Sequence, residues 1–539
     1  MRHGFLSTAR LQSNADKSET RALRSSERAF DRLFEEPARA YPDGRSEEEV
    51  HAALLDISEA RRGAKDTDLR NDPNAIPAGY TYLGQFIIHD LTRSQIPAKG
   101  SAPINRATPS LDLDSVYGGG PALCPHFFQQ PTDMKDLSHL FYVGRTAAGH
   151  QPENARMPGN LPLDLPRVGA GTQGISETGD KRFSCPLIAD IRNDENLVVS
   201  QIHGLFLQVH NRVAAFLHES RSLTGRESFQ RARKFVIRSY RQIVVHDYLK
   251  QLLLDTFYNE VRSDTPAFIQ KEVGRSIPLE FTFGAARVCH AMSRHQYAVN
   301  SHIRPSISTL ANLLHFSSHR SDAPLPLPAD WVIDWQNFFR ISPAMPPLTA
   351  RPLSPLLSPV FIDAQTSLTD NAPHDSLSFR DLWRCYDQKL PTGQDCAREV
   401  AKILGDKIPM KVLEDSDLLP TDKLAEQQFV EPLRIAVNQV DWFKTHTPLT
   451  YYLAQEASSE LGDYGRKFGP VGSYIMARTF RRALGIPAEG TTESDEPERY
   501  DNSSPQGVAS MPDFIRLLNL WDGELIDQIE ATTPGLTKA

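Results

Sequence analysis

Gly84-Gln85-Phe86-Ile87-Ile88-His89-Asp90-Leu91-Thr92 sets a histidine beside an aspartate on a hydrophobic segment. The stretch follows a turn at 74–79 and predicts a helix over 80–92. On a helix Gln85 and His89 stand at i and i+4 and share a face, while Asp90 points about 100° away. Adjacent residues can therefore serve two different sites. Taken alone, the pair also reads as a core histidine next to a solvated aspartate.

Working outward, Thr108-Pro109-Ser110-Leu111-Asp112-Leu113-Asp114-Ser115-Val116-Tyr117-Gly118 alternates oxygen-bearing side chains at Thr108, Ser110, Asp112 and Asp114. In extended chain, side chains at spacing two share a side. With Asp90 added, three carboxylates join hydroxyl and carbonyl oxygens. That suits Ca²⁺, which takes about 6–8 oxygen ligands. An acidic turn without an ion is the plainer reading of the same residues.

The 539-residue chain as a whole is of ordinary globular composition, with 23% charged and 40% hydrophobic residues. A net charge of -8 is spread along the chain, so nothing points to nucleic acid. No apolar run approaches the ~20 residues of a transmembrane segment. The amino terminus, Met1-Arg2-His3-Gly4-Phe5, has no apolar core of a secretory signal. The five cysteines (Cys124, Cys185, Cys289, Cys385, Cys396) are unclustered and form no CxxC pair. Reduced thiols in a cytoplasmic protein are the expectation, with export lacking a classical signal as the alternative.

Periodicity predicts a mainly α chain with long ordered loops and little sheet. Residues 1–45 read as an N-terminal arm with a short helix near Ser26–Glu36. Residues 46–539 read as one domain, with 485–511 a mobile acidic, Ser/Pro/Gly-rich loop. Helices are expected at 46–62, 80–92, 194–219, 224–257, 279–296, 393–404, 424–442, 448–461, 468–484 and 512–530. The stretch 93–185 shows little periodicity and reads as a long loop region, which in a compact protein usually carries function.

The two opening stretches resemble the distal-histidine and calcium-loop motifs of the animal-type haem peroxidases, within the peroxidase–cyclooxygenase superfamily. Further motifs follow in that family's order. Asp190-Ile191-Arg192-Asn193-Asp194-Glu195 is similar to D-x-R-x-x-E, and His210-Asn211-Arg212 to H-N-R. Arg287 and His290 match F-R-x-x-H-S, with Ala291 in place of serine. Asp381 falls where the family has an asparagine ahead of an R-x-x-x-L-P-like segment, here Arg384 to Leu390-Pro391. Thr447 to Tyr452 and Phe468 to Ser473 look like bacterial members.

The resemblance implies a haem-dependent peroxidase that reduces hydrogen peroxide and oxidises small organic donors, phenolic or halide. It implies haem b and Ca²⁺ as cofactors. His89 would be the base that takes a proton from one peroxide oxygen and returns it to the other. Arg192, always charged, would stabilise the departing oxygen, and Gln85 would contact a distal water or anion. His290 would bind the iron. Glu195, Arg287 and Asp381 would lie at the cofactor, Asp381 accepting from the ligand's second nitrogen. Asp90, Thr108, Ser110, Asp112 and Asp114 would hold calcium, Ser110 through its backbone carbonyl.

Departures from the family are also informative. Ile88 and Asn196 stand where mammalian members attach haem covalently, which leaves Glu195. Non-covalent haem, or at most one ester at Glu195, is the expectation. Arg287 stands where the superfamily's fatty-acid dioxygenases carry a radical-forming tyrosine. That favours peroxidase chemistry, with a dioxygenase using another tyrosine such as Tyr297, or a non-catalytic haem-binding protein, as alternatives.

Overall fold

Ser46 opens the first helix through a reciprocal cap. Its hydroxyl accepts from the Glu49 amide and the Glu49 carboxylate accepts from the Ser46 amide. The helix α1 (Glu47–Ala60) then buries Val50, Leu54 and Ile57. A computed structural model of the chain describes residues 28–34, 44–66, 75–96, 101–131, 138–168, 185–269, 276–320, 322–363, 376–408, 410–420, 427–485 and 504–537.

The helix predicted at 80–92 is α2 (Gly79–Leu91). It stops at Thr92, whose backbone is extended and whose amide and hydroxyl both donate to Ile88 O. Gly84 lets α2 lie close to its neighbour, since a Cβ there would fall 2.6 Å from the Tyr248 hydroxyl. Asn196 caps the long α3 (Leu197–Arg221), its Oδ1 accepting from the amides of Val198 and Val199. Thr224 and Glu227 form a second reciprocal cap on α4 (Gly225–Ile243). A π turn (Val244–Tyr248) and a short helix (Leu249–Leu252) continue it. The expected single helix over 224–257 is therefore broken. Leu253 is extended and a separate helix runs Asp255–Arg262.

The segment that carries His290 is helical in three hands-widths of winding: π over Glu280–Ala285, α over Ala286–Val288, and a tighter 3₁₀ turn over Cys289–Met292. It ends at extended Ser293, not at 296. There the His295 amide turns to the Asp66 carboxylate and Arg294 to Thr349 O, so the helix loses its continuation. Leu377–Asp387 forms α5, a helix outside the expected set. Ser376 caps it by accepting from the Phe379 amide. The helices α6 (Gly393–Leu404), α7 (Leu449–Ser458) and α8 (Pro470–Leu484) match their expected positions. The final helix expected at 512–530 is split into Met511–Arg516 and Asp522–Thr532.

Helices make up about 53% of the structure. The sheet among the described residues is three two-residue strands, β1 (Arg28–Ala29), β2 (Ser94–Gln95) and β3 (Ile104–Asn105). The class is mainly α, as expected. β1 and β2 both pair antiparallel with β3. The short helix expected near Ser26–Glu36 is absent from the described part, because residues 28–29 spend their backbone groups on the sheet. Much of the loop expected at 485–511 lies outside the described residues. Its end from 504 is held, with Val508 buried and its amide donating to Thr532 Oγ1. No helix of the described residues is long and apolar enough to cross a membrane.

The main core lies between α2, α3, α4, the 280–292 segment, α7 and α8. A smaller core joins α1 to α5 through Leu54, Ile57, Phe379 and Leu382. Each such buried aliphatic or aromatic side chain contributes about 1.5–3 kcal/mol. One buried polar cluster pins the long loop region to this body. Arg167 donates to both Asp164 and Asp194, and Asp194 also accepts from the Ser318 amide. Arg167→Met should cost about 3–5 kcal/mol, because two buried carboxylates lose their cation. A loss of that size in the unfolding free energy from urea denaturation checks it, and a loss below about 1 kcal/mol would mean the cluster is dispensable.

Candidate active site

His89 lies near the end of α2 and is only 7% exposed. Its Nδ1 is 2.9 Å from Asn193 Oδ1, and its Nε2 is 3.8 Å from Glu195 Oε2. Burial first, and the Arg192 charge second, push its pKa down to about 3. The ring is therefore neutral at ordinary pH and holds a lone pair. Gln85, one turn earlier on the same face, bridges two neighbours. Its Nε2 donates to Glu195 Oε2 at 3.2 Å, and its Oε1 accepts from Asn196 Nδ2 at 2.9 Å. Burial raises the Glu195 carboxyl to about 7.

Arg192 comes to the main chain of His89 and not to its imidazole. Its guanidinium pairs with Asp190 at 2.6 Å and donates to Thr92 O and His89 O. It thus closes the carboxy-terminal end of α2, where a cation is favoured. Asp190 is buried, which alone would raise its carboxyl, but Arg192 holds it down at about 2.

His290 presents a different environment. Its Nδ1 is 2.7 Å from Asp381 Oδ2, and its side chain keeps 27% exposure while Asp381 keeps 2%. Burial opposes ionisation of Asp381, but the contact with His290 and the charges of Arg287 and Arg61 keep its carboxyl below the usual range. With Nδ1 engaged, His290 Nε2 is left to face outward from the pair. Arg287 lies 4.0 Å from Asp381 Oδ1, and its charge also acts on His89 and Glu195. The charge of Arg287 thus reaches the surroundings of both histidines. This donor set fits haem: one histidine with its rear nitrogen anchored on a carboxylate, and partly exposed cationic and carboxylic side chains beside it. Tyr297, the alternative radical site, is fully buried against the Tyr82 ring, with its hydroxyl accepting from the Arg294 amide.

The proposed cation residues converge. Carboxylate oxygens of Asp90, Asp112 and Asp114 lie within 4.8 Å of one another. Leu113, between them, adopts a left-handed backbone with φ of 57°. Such a conformation costs a non-glycine residue roughly 1–2 kcal/mol, and here the Asp90 carboxylate accepts from the Leu113 amide at 3.2 Å. Thr108 donates its hydroxyl to Asp112 and its amide to Asp114. The Ser110 hydroxyl accepts from Arg241 at 3.0 Å, which is compatible with the backbone carbonyl as the ligand at that position. Burial, then the neighbouring carboxylates, raise Asp90 well above its ordinary value and Asp114 to about 8. Crowded buried carboxylates of this kind fit a divalent cation.

A pH test follows from those shifts. Folded carboxyl values above the ordinary ~3.9 mean that, without a cation, stability is full below that value and falls as pH rises through about 8 for Asp114. Ca²⁺ should remove that loss and release protons on binding. Thermal melts with chelator and with Ca²⁺ should therefore differ more at about pH 8 than at about pH 5. Equal differences would argue against the site.

Sequence reading missed Asn193 and His203 and took Asn196 only as a departure from the haem-attachment pattern; the three surround His89 and Gln85. His203 Nδ1 is 3.0 Å from Asn193 Nδ2. Asn193 lies inside the D-x-R-x-x-E motif at a position the motif leaves open, so only its place beside Arg192 could have drawn attention.

Residues 84–321 match the animal haem peroxidase family model. The peroxidasin homolog pxn-2 of Caenorhabditis elegans is 28% identical over 203 residues, 37% of this chain and 14% of that protein. Human lactoperoxidase is 30% identical over 153 residues, 28% of this chain and 20% of its own length. The matched stretch thus spans a minor part of these relatives. Among solved structures, peroxidase A from Dictyostelium discoideum superposes with a TM-score of 0.57 at 13% identity, covering 95% of each chain. A fatty acid alpha-dioxygenase from Oryza sativa gives 0.55 at 13% identity, over 94% of this chain and 82% of that one. These two likenesses speak to the fold. Residues 84–321, a little under half of the chain, thus carry its likeness to the animal haem peroxidase family.

Proposed function

We propose that the chain is a haem-dependent peroxidase that reduces hydrogen peroxide and oxidises small organic donors, phenols or halides. The observation that carries this reading is the contrast between two histidines. His89 is buried, neutral and tied at Nδ1 to an amide, whereas His290 is tied at Nδ1 to a carboxylate. The first suits a base and the second a metal ligand.

Haem b, bound without covalent links or with one ester at Glu195, would supply the iron that accepts electrons from donors and passes them to peroxide. His290 would hold it, with Asp381 raising the ligand's basicity and Arg287 beside it. His89 Nε2 would take the proton from one peroxide oxygen and return it to the departing one. Arg192 would add positive potential behind that transfer, and Gln85 would fix a water or small anion near Nε2. The calcium site would lock α2 to the loop at 108–118 and so fix His89. Arg287 in place of a tyrosine, and the packed state of Tyr297, favour this over fatty-acid oxygenation.

The test is the Soret spectrum of haem-loaded protein before and after one equivalent of peroxide. A rapid band shift, reversed by a phenolic donor, is expected. A haem spectrum indifferent to peroxide, with oxygen uptake on an unsaturated fatty acid, would replace the reading with the dioxygenase one.

A further inference from the structure

Asn193 stands directly behind His89 and links it to a second buried ring. Its Oδ1 is 2.9 Å from His89 Nδ1 and its Nδ2 is 3.0 Å from His203 Nδ1. Asn193 and His203 are both fully buried. Among the described residues His203 Nε2 has no partner, so this amide is the ring's polar anchor. The backbone of Asn193 is fixed as well, its amide donating to Asp190 O at 3.0 Å.

A carboxamide accepts at one end and donates at the other. Only two hydrogen-bond patterns are therefore consistent for the three side chains. With Oδ1 toward His89, as here, His89 carries its proton on Nδ1 and leaves Nε2 bare. His203 then accepts at Nδ1 and is protonated on Nε2. With the amide reversed, His89 would accept at Nδ1 and carry its proton on Nε2, where it could not act as a base. One amide thus couples the tautomers of two histidines that do not touch. Both rings are buried, so for each a tautomer is the state to be chosen.

We propose that Asn193 is a positioning residue that holds His89 in the Nδ1–H tautomer, with His203 as the acceptor that orients the amide. The inference rests on the reading of His89 as the proton-transferring base and deepens it.

Nitrogen–proton NMR on the full-length chain carrying isotope-labelled histidine tests it without haem. His89 is identified by the signals lost in His89→Gln. In the unaltered chain His89 should be protonated at Nδ1 and bare at Nε2. Asn193→Ala should move it toward the Nε2–H form, and Asn193→Asp, which still accepts at Nδ1, should keep it. After haem loading, Asn193→Ala should react with peroxide about 10–100-fold more slowly, and Asn193→Asp should recover most of the rate. An unchanged His89 tautomer in Asn193→Ala, or an Asn193→Asp protein that behaves like the alanine variant, would overturn the proposal. Should Asn193→Ala fail to fold, Asn193→Gln displaces the carbonyl by one methylene and stands in the same comparison. Tautomers that move as expected in a protein whose haem ignores peroxide would support the hold on His89 and count against the peroxidase reading alone.

Discussion

His89→Ala is expected to load haem like the unaltered protein and to react with hydrogen peroxide about 10²–10⁴-fold more slowly, the usual range for loss of a general acid–base. A histidine on the surface titrates near ~6.5, but His89 is held at about 3 by its buried position and by Arg192. Its lone pair is therefore available throughout the neutral range, and the reaction should show no acid limb near pH 6 from this ring. The sign of the stability effect runs the same way. Between about 3 and the ordinary ~6.5 the unfolded chain binds a proton that the folded chain refuses. Stability should thus rise as pH rises through that window, and His89→Ala should flatten that part of the curve. Stopped-flow rates with haem content and melting profiles as controls check both halves. A variant that keeps its full rate would show that the base is another group, with Glu195, 3.8 Å from Nε2, first in line.

Much of this site could be read from the chain because its motifs are local. The pairing of His89 with Asp90 depends only on helical geometry, and the oxygen alternation from Thr108 to Asp114 depends only on spacing. His290 and Asp381 are 91 positions apart, and their pairing came from likeness to a family rather than from physics. What escaped was long-range or irregular. Asn193 and His203 matter through side-chain bonds that no periodicity reports. Arg167 and Asp194 form an ion pair across 27 positions. The break after Met292 and the strand at Arg28–Ala29 arise from partners elsewhere in the fold. The helix at Leu377–Asp387 is short, and its buried face rests on Phe379, Leu382 and Cys385 between polar residues, which makes a weak periodic signal.

His290→Ala is expected to abolish haem binding, and the accompanying change in stability should show why Asp381 is there. Asp381 is 2% exposed and accepts from His290 at 2.7 Å. Without the ring, a buried carboxylate faces only Arg287, at 4.0 Å, and the charge of Arg61. Breaking a buried pair from one side costs about 3–5 kcal/mol, and the two arginines place this case toward the lower end. His290→Ala should therefore melt at lower temperature even in the absence of haem. The double variant His290→Ala/Asp381→Asn removes the stranded charge and should recover most of that loss while still failing to bind haem. Asp381→Asn alone keeps an acceptor for Nδ1, so it should retain haem with a less basic ligand, seen as a raised reduction potential. Pyridine-complexed haem content and thermal melts on the four proteins separate the outcomes. Full haem loading in His290→Ala would move the axial role to another histidine. A double variant no more stable than His290→Ala would mean that the arginines, rather than the histidine, neutralise Asp381.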